Sequence, residues 1–135
     1  MTTTPSNKYT LENIPLLLSY WLVNTFVVFL LHLRFPTLIV LGNSQLTDLG
    51  AALIVGCILM MVQSLTVPLG KRIGVRRTHP YYWAGVFVVV DTIALWILSR
   101  MAGNTGFGIV GFWWAIIVGV LIGLLHWLLW KFFAK

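Results

Sequence analysis

Four apolar runs occupy almost the whole chain: residues 14–33, 49–70, 81–100 and 112–133. An α-helix rises about 1.5 Å per residue, so about 20 residues cross the ~30 Å hydrocarbon core of a bilayer. Each run meets that length. A surface helix of a soluble domain would need less apolar sequence and would show a polar face. In lipid the backbone must satisfy its own hydrogen bonds, which an apolar helix does. The expected fold class is therefore all-α, an integral membrane four-helix bundle over residues 14–135. Residues 1–13 read as a polar N-terminal tail.

Composition narrows the function classes. Only 9% of the 135 residues are charged, against about 25% in soluble domains. Four helices leave no length for a separate soluble domain. The net charge of +6 invites a nucleic-acid reading. Lys and Arg fall in loops and at helix ends, however, where they set topology and meet anionic lipid. The expected partners are membrane lipids and other membrane subunits or further copies of the chain, not nucleic acid. Cys57 is the one cysteine, so no internal disulfide or CxxC pair exists. The first apolar run is too long for a signal-peptide core and reads as a retained helix.

Charge also orients the chain. Lys71, Arg72, Arg76 and Arg77 crowd the loop between the second and third runs. Lys8 precedes the first run, and Lys131 and Lys135 close the last. With four crossings these regions share one side, while the other side carries Arg34 and Arg100. The positive-inside rule places both termini and the basic loop in the cytoplasm, with the protein multi-pass in the inner (cytoplasmic) membrane. Tyr81, Tyr82 and Trp83, then Phe112, Trp113 and Trp114, and finally Trp127 and Trp130 fit aromatic belts at the headgroup level. Pro68 and Pro80 mark expected helix boundaries. The segment 35–47 holds an apolar stretch, 38–41, that reads as an outer interfacial piece.

The two halves echo each other as a parallel repeat of helical hairpins. Val23-Asn24-Thr25 in the first run matches Val90-Asp91-Thr92 in the third. Val55-Gly56 followed by Gln63 in the second matches Val118-Gly119 followed by His126 in the fourth. The helical rise puts Asn24, Gln63, Asp91 and His126 within about 6 Å of one another in depth. They are expected to face inward as a buried polar cluster, with Thr25, Ser64 and Thr92 extending it. A central Asp costs about 3 kcal/mol on insertion scales, so Asp91 is not expected to face lipid. Two readings of the cluster stand side by side. Interhelical hydrogen bonds hold the bundle together, or Asp91 and His126 relay protons.

Small residues supply a second motif. Gly119 and Gly123 form GxxxG, and Ala52 and Gly56 form its looser equivalent. Such pairs let helix backbones approach, within the chain or against another subunit. Trp21 and Trp96 are further candidate packing surfaces toward lipid, pigment or a partner. His32, His79 and His126 lie at different depths and show no HExxH or similar spacing, so no metal or haem site is expected. No GxSxG, GxGxxG, P-loop or paired carboxylates occur. No catalytic residue and no cofactor is expected, and the chain reads as non-enzymatic.

Three segments carry a family resemblance. Asp91-Thr92-Ile93-Ala94-Leu95-Trp96-Ile97 looks like an "N-x-x-x-L-W-L" helix. The stretch Gly106-Phe107-Gly108-Ile109-Val110-Gly111-Phe112-Trp113-Trp114-Ala115 looks like a Gly-containing turn and a "G-F-W-x-A" helix start. Asn24 and residues 51–68, with Gln63, look similar in the first half. Over residues 14–133 the chain thus resembles the four-helix phage holin superfamily IV of small bacterial membrane proteins. It departs in having Asp91 for the usual Asn and a longer charged loop at 70–79. The resemblance implies a four-helix membrane fold and, by the family name, a pore. Three functions follow as expectations: an accessory or structural membrane subunit or homo-oligomer acting by helix packing, a holin-like pore, or a small proton-coupled transporter using Asp91 and His126.

Overall fold

The computed structural model describes residues 14–74 and 80–133. Lys8, Arg76, Arg77, His79 and Lys135, on which part of the charge reading rests, lie outside the described residues. Four helices are long and apolar enough to cross a membrane: α1 (Ile14–Arg34), α2 (Asp48–Arg72), α3 (Pro80–Arg100) and α5 (Phe112–Phe133). A short α4 (Ala102–Thr105) and two strands, β1 (Ile39–Leu41) and β2 (Phe107–Ile109), fill the connections. The chain is a multi-pass membrane protein.

Local chemistry explains the boundaries. Thr47 caps α2, its Oγ1 accepting from the Gly50 N–H at 3.1 Å, and Asp48 follows in the first turn. An oxygen at this position satisfies one of the free N–H groups of a helix start. Pro80 opens α3, where its missing N–H costs nothing. Pro68 does not end α2, which continues to Arg72. Helices in a membrane tolerate an internal proline when neighbours satisfy the freed groups.

The segment 38–41 contains one strand of a two-stranded ribbon packed on the core. Ile39 and Leu41 are 2% and 3% exposed, and β1 pairs antiparallel with β2 in the register Ile39↔Ile109, Val40↔Gly108, Leu41↔Phe107. Flanking bonds run from Gly42 N to Gly106 O (2.7 Å) and from Val110 N to Leu38 O (3.1 Å). Gly42 (φ +94°) and Gly106 (φ +68°) turn the chain at the paired ends of the ribbon. A Cβ on Gly106 would meet that of Ala51 at 2.8 Å. This ribbon ties the two hairpin loops together at one end of the molecule.

Between the helices, α1 packs chiefly on α2 and α3 on α5, with slighter contact between α2 and α3 and between α1 and α5. The interior is layered. Leu16, Tyr20, Asn24 and Val28 are the buried positions of α1, and Trp83, Phe87, Asp91 and Leu95, each 67 positions later, are buried in α3. In α2, Ala52, Val55, Gly56, Leu59, Gln63 and Val67 are buried, and so are the α5 residues 63 positions later: Ala115, Val118, Gly119, Ile122, His126 and Trp130. Steps of three and four keep side chains on one helix face. One apolar cluster, containing Val28, Leu59, Leu95 and Ile122, adjoins the ribbon. A second, containing Tyr20, Val67, Phe87 and Trp130, lies nearer the other end. The polar side chains occupy the level between them.

Candidate functional site

At that middle level each long helix contributes one strongly hydrogen-bonding side chain, and all four are at most 1% exposed: Asn24, Gln63, Asp91 and His126. Cα–Cβ bonds tilt toward a helix's N-terminus, so side chains on antiparallel neighbours lean toward each other in depth. Asn24 and Gln63 therefore meet across α1 and α2, and Asp91 and His126 across α3 and α5.

The bonds run in a defined direction. Asn24 Nδ2 donates to Gln63 Oε1 (3.0 Å) and lies 3.3 Å from the Gly56 carbonyl, which also accepts from it. Gln63 Nε2 donates to Asp91 Oδ1 at 2.6 Å. Asp91 Oδ2 sits 3.1 Å from His126 Nδ1. Gln63 to Asp91 thus joins the two hairpins midway along the helices, and the Tyr20 ring meets the His126 ring in a T-shaped contact at 5.0 Å. His126 Nε2 and Asn24 Oδ1 are buried without a hydrogen-bond partner.

Three residues expected to extend the cluster do not. Ser64 Oγ donates to the Met61 carbonyl and Thr92 Oγ1 to the Val88 carbonyl, each on its own helix. Thr25 Oγ1 is buried without a partner. Thr and Ser in helices commonly bond back to the preceding turn. Tyr20 went unnoticed in the sequence, although it lies one turn before Asn24 on the same face.

The small residues are used inside the chain. Gly56 faces Thr25, and a Cβ there would collide with the threonine Oγ1. Gly119 faces Thr92 in the same way, and Gly123 faces the Val88 backbone. Ala52 is wholly buried. Lipid tails are as apolar as Leu, so helix seams in a membrane rely on close backbone approach and hydrogen bonds. These glycines are occupied by the chain's own helices rather than open to another subunit.

The aromatic residues near the helix ends divide between the interior and the outer surface. Trp83 and Trp130 are 1% and 7% exposed, with ring centroids 5.7 Å apart. Tyr81, Tyr82, Phe112 and Trp113 are exposed at helix starts. Trp21 is half-buried, with Nε1 donating to the Leu53 carbonyl at 3.1 Å. Trp96 is half-buried against Phe112, with Arg100 over its ring. Lys71 and Arg72 are exposed at the end of α2. His32 lies near the ribbon, its Nε2 3.2 Å from Asp48 Oδ2 and its Nδ1 3.0 Å from the Ile39 carbonyl.

Fold and site together define a multi-pass membrane protein with a closed polar layer between two apolar clusters. No protein-family model, curated protein or solved structure matches the chain.

Proposed function

We propose that the chain is a non-enzymatic subunit of the inner (cytoplasmic) membrane that acts by lateral helix packing, against other membrane chains or a second copy. Its four helices form a bundle of two like hairpins related by an axis along the membrane normal, with both termini and the basic residues at 71–77 in the cytoplasm. One observation carries this reading. The buried polar side chains and the glycine seams are spent within the chain, and away from the helix ends every exposed position of the described long helices is apolar. What the protein offers its surroundings is a large apolar side surface. Depressions mark it, among them one of about 420 Å³ between α2 and α3, one of about 490 Å³ along the start of α3 and one of about 180 Å³ between α1 and α5.

The same exterior bears on the holin-like alternative. A water-filled pore between copies needs a polar stripe, and among the described residues the outward faces have none. Extraction in mild detergent tests the proposal. Co-purification of a defined membrane partner, or a discrete oligomer held by crosslinks in native membranes, is the expected result. A strictly monomeric species in both experiments overturns it, and dye leakage on overexpression favours the pore. Reporter fusions at the C-terminus test the orientation, with cytoplasmic activity expected.

A further inference from the structure

The two hairpins meet one packing requirement with different chemistry. At the middle level the first hairpin pairs Asn24 with Gln63 at 3.0 Å, and the second pairs Asp91 with His126 at 3.1 Å. Both pairs are fully buried, and each sits beside a Thr–Gly seam of its own hairpin, Thr25–Gly56 in the first and Thr92–Gly119 in the second. In the first hairpin two amides make this contact. The second replaces both amides with groups that gain and lose protons.

The hydrogen-bond directions locate the proton. Gly56 O and Gln63 Oε1 are both acceptors, which fixes the Asn24 amide with Nδ2 toward them. Gln63 Oε1 is then an acceptor, and Nε2 donates to Asp91 Oδ1. Oδ1 therefore carries no hydrogen. Any titrating proton belongs to the side of the carboxyl that faces His126.

Consider the pair with Asp91 ionised and His126 neutral. The carboxylate requires the hydrogen on Nδ1, so Nε2 is a bare lone pair. Adding one proton gives either carboxylate with imidazolium, or carboxylic acid with the other imidazole tautomer. Both forms carry a hydrogen on Nε2, and the charge of the pair rises from −1 to 0. Nε2 is the buried ring nitrogen that has no hydrogen-bond partner.

We infer that Asp91 and His126 form an intramembrane proton-binding site, with His126 Nε2 as the accepting atom and Gln63 as the residue that holds Asp91 in register. Around the pair, α1 presents the Tyr20 ring and Asn24, and α2 presents Gln63. The charged side chains of Arg34, Lys71, Arg72, Arg100 and Lys131 are exposed at helix ends. This inference goes beyond the packing role and stands whether or not a partner chain exists.

Nitrogen NMR of histidine-labelled full-length protein in lipid nanodiscs tests it. With the sample taken from about pH 8 to about pH 5, the expected result is a buried imidazole whose Nε2 gains a hydrogen. That signal disappears in His126→Gln. In Asp91→Asn the amide keeps both contacts and donates to Nδ1, so Nε2 stays protonated throughout. The double variant D91N/H126Q copies the first hairpin and loses the response while keeping its helicity. If a variant does not fold, the His126 signal is identified in the unmodified protein by its magnetisation transfer to the Tyr20 ring. An Nε2 whose hydrogen content is unchanged across the range, or a titration identical in Asp91→Asn, overturns the proposal.

Discussion

Gly119 lies so close to Thr92 that a methyl group on it would meet the threonine Cα at 2.8 Å and Cβ at 2.9 Å. One turn on, a Cβ at Gly123 would meet Val88 Cα at 2.6 Å. These are backbone or near-backbone atoms and cannot rotate away. At Gly56 the first collision is with the Thr25 hydroxyl, and the nearest backbone atoms stand at 3.1 and 3.2 Å. Gly85, also helical, has nothing within 4 Å.

Gly119→Ala and Gly123→Ala are therefore expected to destabilise the protein by about 1–3 kcal/mol each, the usual cost of overpacking. Gly56→Ala should cost less, because the Thr25 side chain can turn. Gly85→Ala should be close to neutral. Unfolding in mixed detergent micelles ranks the four. A neutral Gly119→Ala would remove close α3–α5 approach as the basis of the second hairpin.

Gln63 is the hinge of the polar layer, accepting from Asn24 and donating to Asp91. Gln63→Leu removes two intramembrane bonds, worth about 0.6 kcal/mol each on average, and leaves buried groups unsatisfied at about 1–3 kcal/mol. The expected loss is about 2–4 kcal/mol. Thr66→Val, which breaks only a bond to its own helix at Val62 O, should cost far less. Equal losses for the two variants would mean that the layer does not couple the hairpins.

Asn43 binds the loops together. Its Oδ1 accepts from the Gln45 and Leu46 N–H groups, each at 2.8 Å, and its Nδ2 donates to the Ala102 and Gly103 carbonyls at 3.3 and 3.0 Å. Asn43→Ala is expected to raise amide exchange in β1, β2 and α4 while leaving the middle of α1 to α3 protected. Hydrogen exchange with mass readout checks this. Unchanged exchange at residues 107–109 would show that the ribbon holds without the side chain.

Tyr20 covers His126. Tyr20→Ala should cost about 3–5 kcal/mol, as large-to-small aromatic changes do in packed interiors, and admit water to the imidazole. The His126 ring hydrogens should then exchange with solvent faster than in Tyr20→Phe, which keeps the ring. Equal exchange in the two variants would mean that the ring does not shield the site.

Much of this was legible along the chain. Apolar length marks the four long helices, because crossing a bilayer requires it. The recurrence of Asn24 and Gln63 in Asp91 and His126, with Gly56 in Gly119, marks the polar layer and the seams. The ribbon was not legible. Ile39 to Leu41 reads as surface until its partner, Phe107 to Ile109, is brought from the other loop. A signal was present in Ile39-Val40 before Gly42 and Ile109-Val110 after Gly106, but pairing across such a distance leaves no local trace. Trp83 and Trp130 misled for a related reason: tryptophan near a helix end suits either an interface or an interior, and only the neighbouring helix decides.

Sequence alone marked four helices long and apolar enough to cross a membrane and the side chains that share a face, since both follow from apolar length and helical periodicity. Only the packed structure decided that Gln63 reaches Asp91, that His126 keeps one ring nitrogen without a partner, and that the glycines serve the chain's own helices. Those outcomes depend on the rotation and depth of one helix against another. Close contacts at Gly56, Gly119 and Gly123 set both.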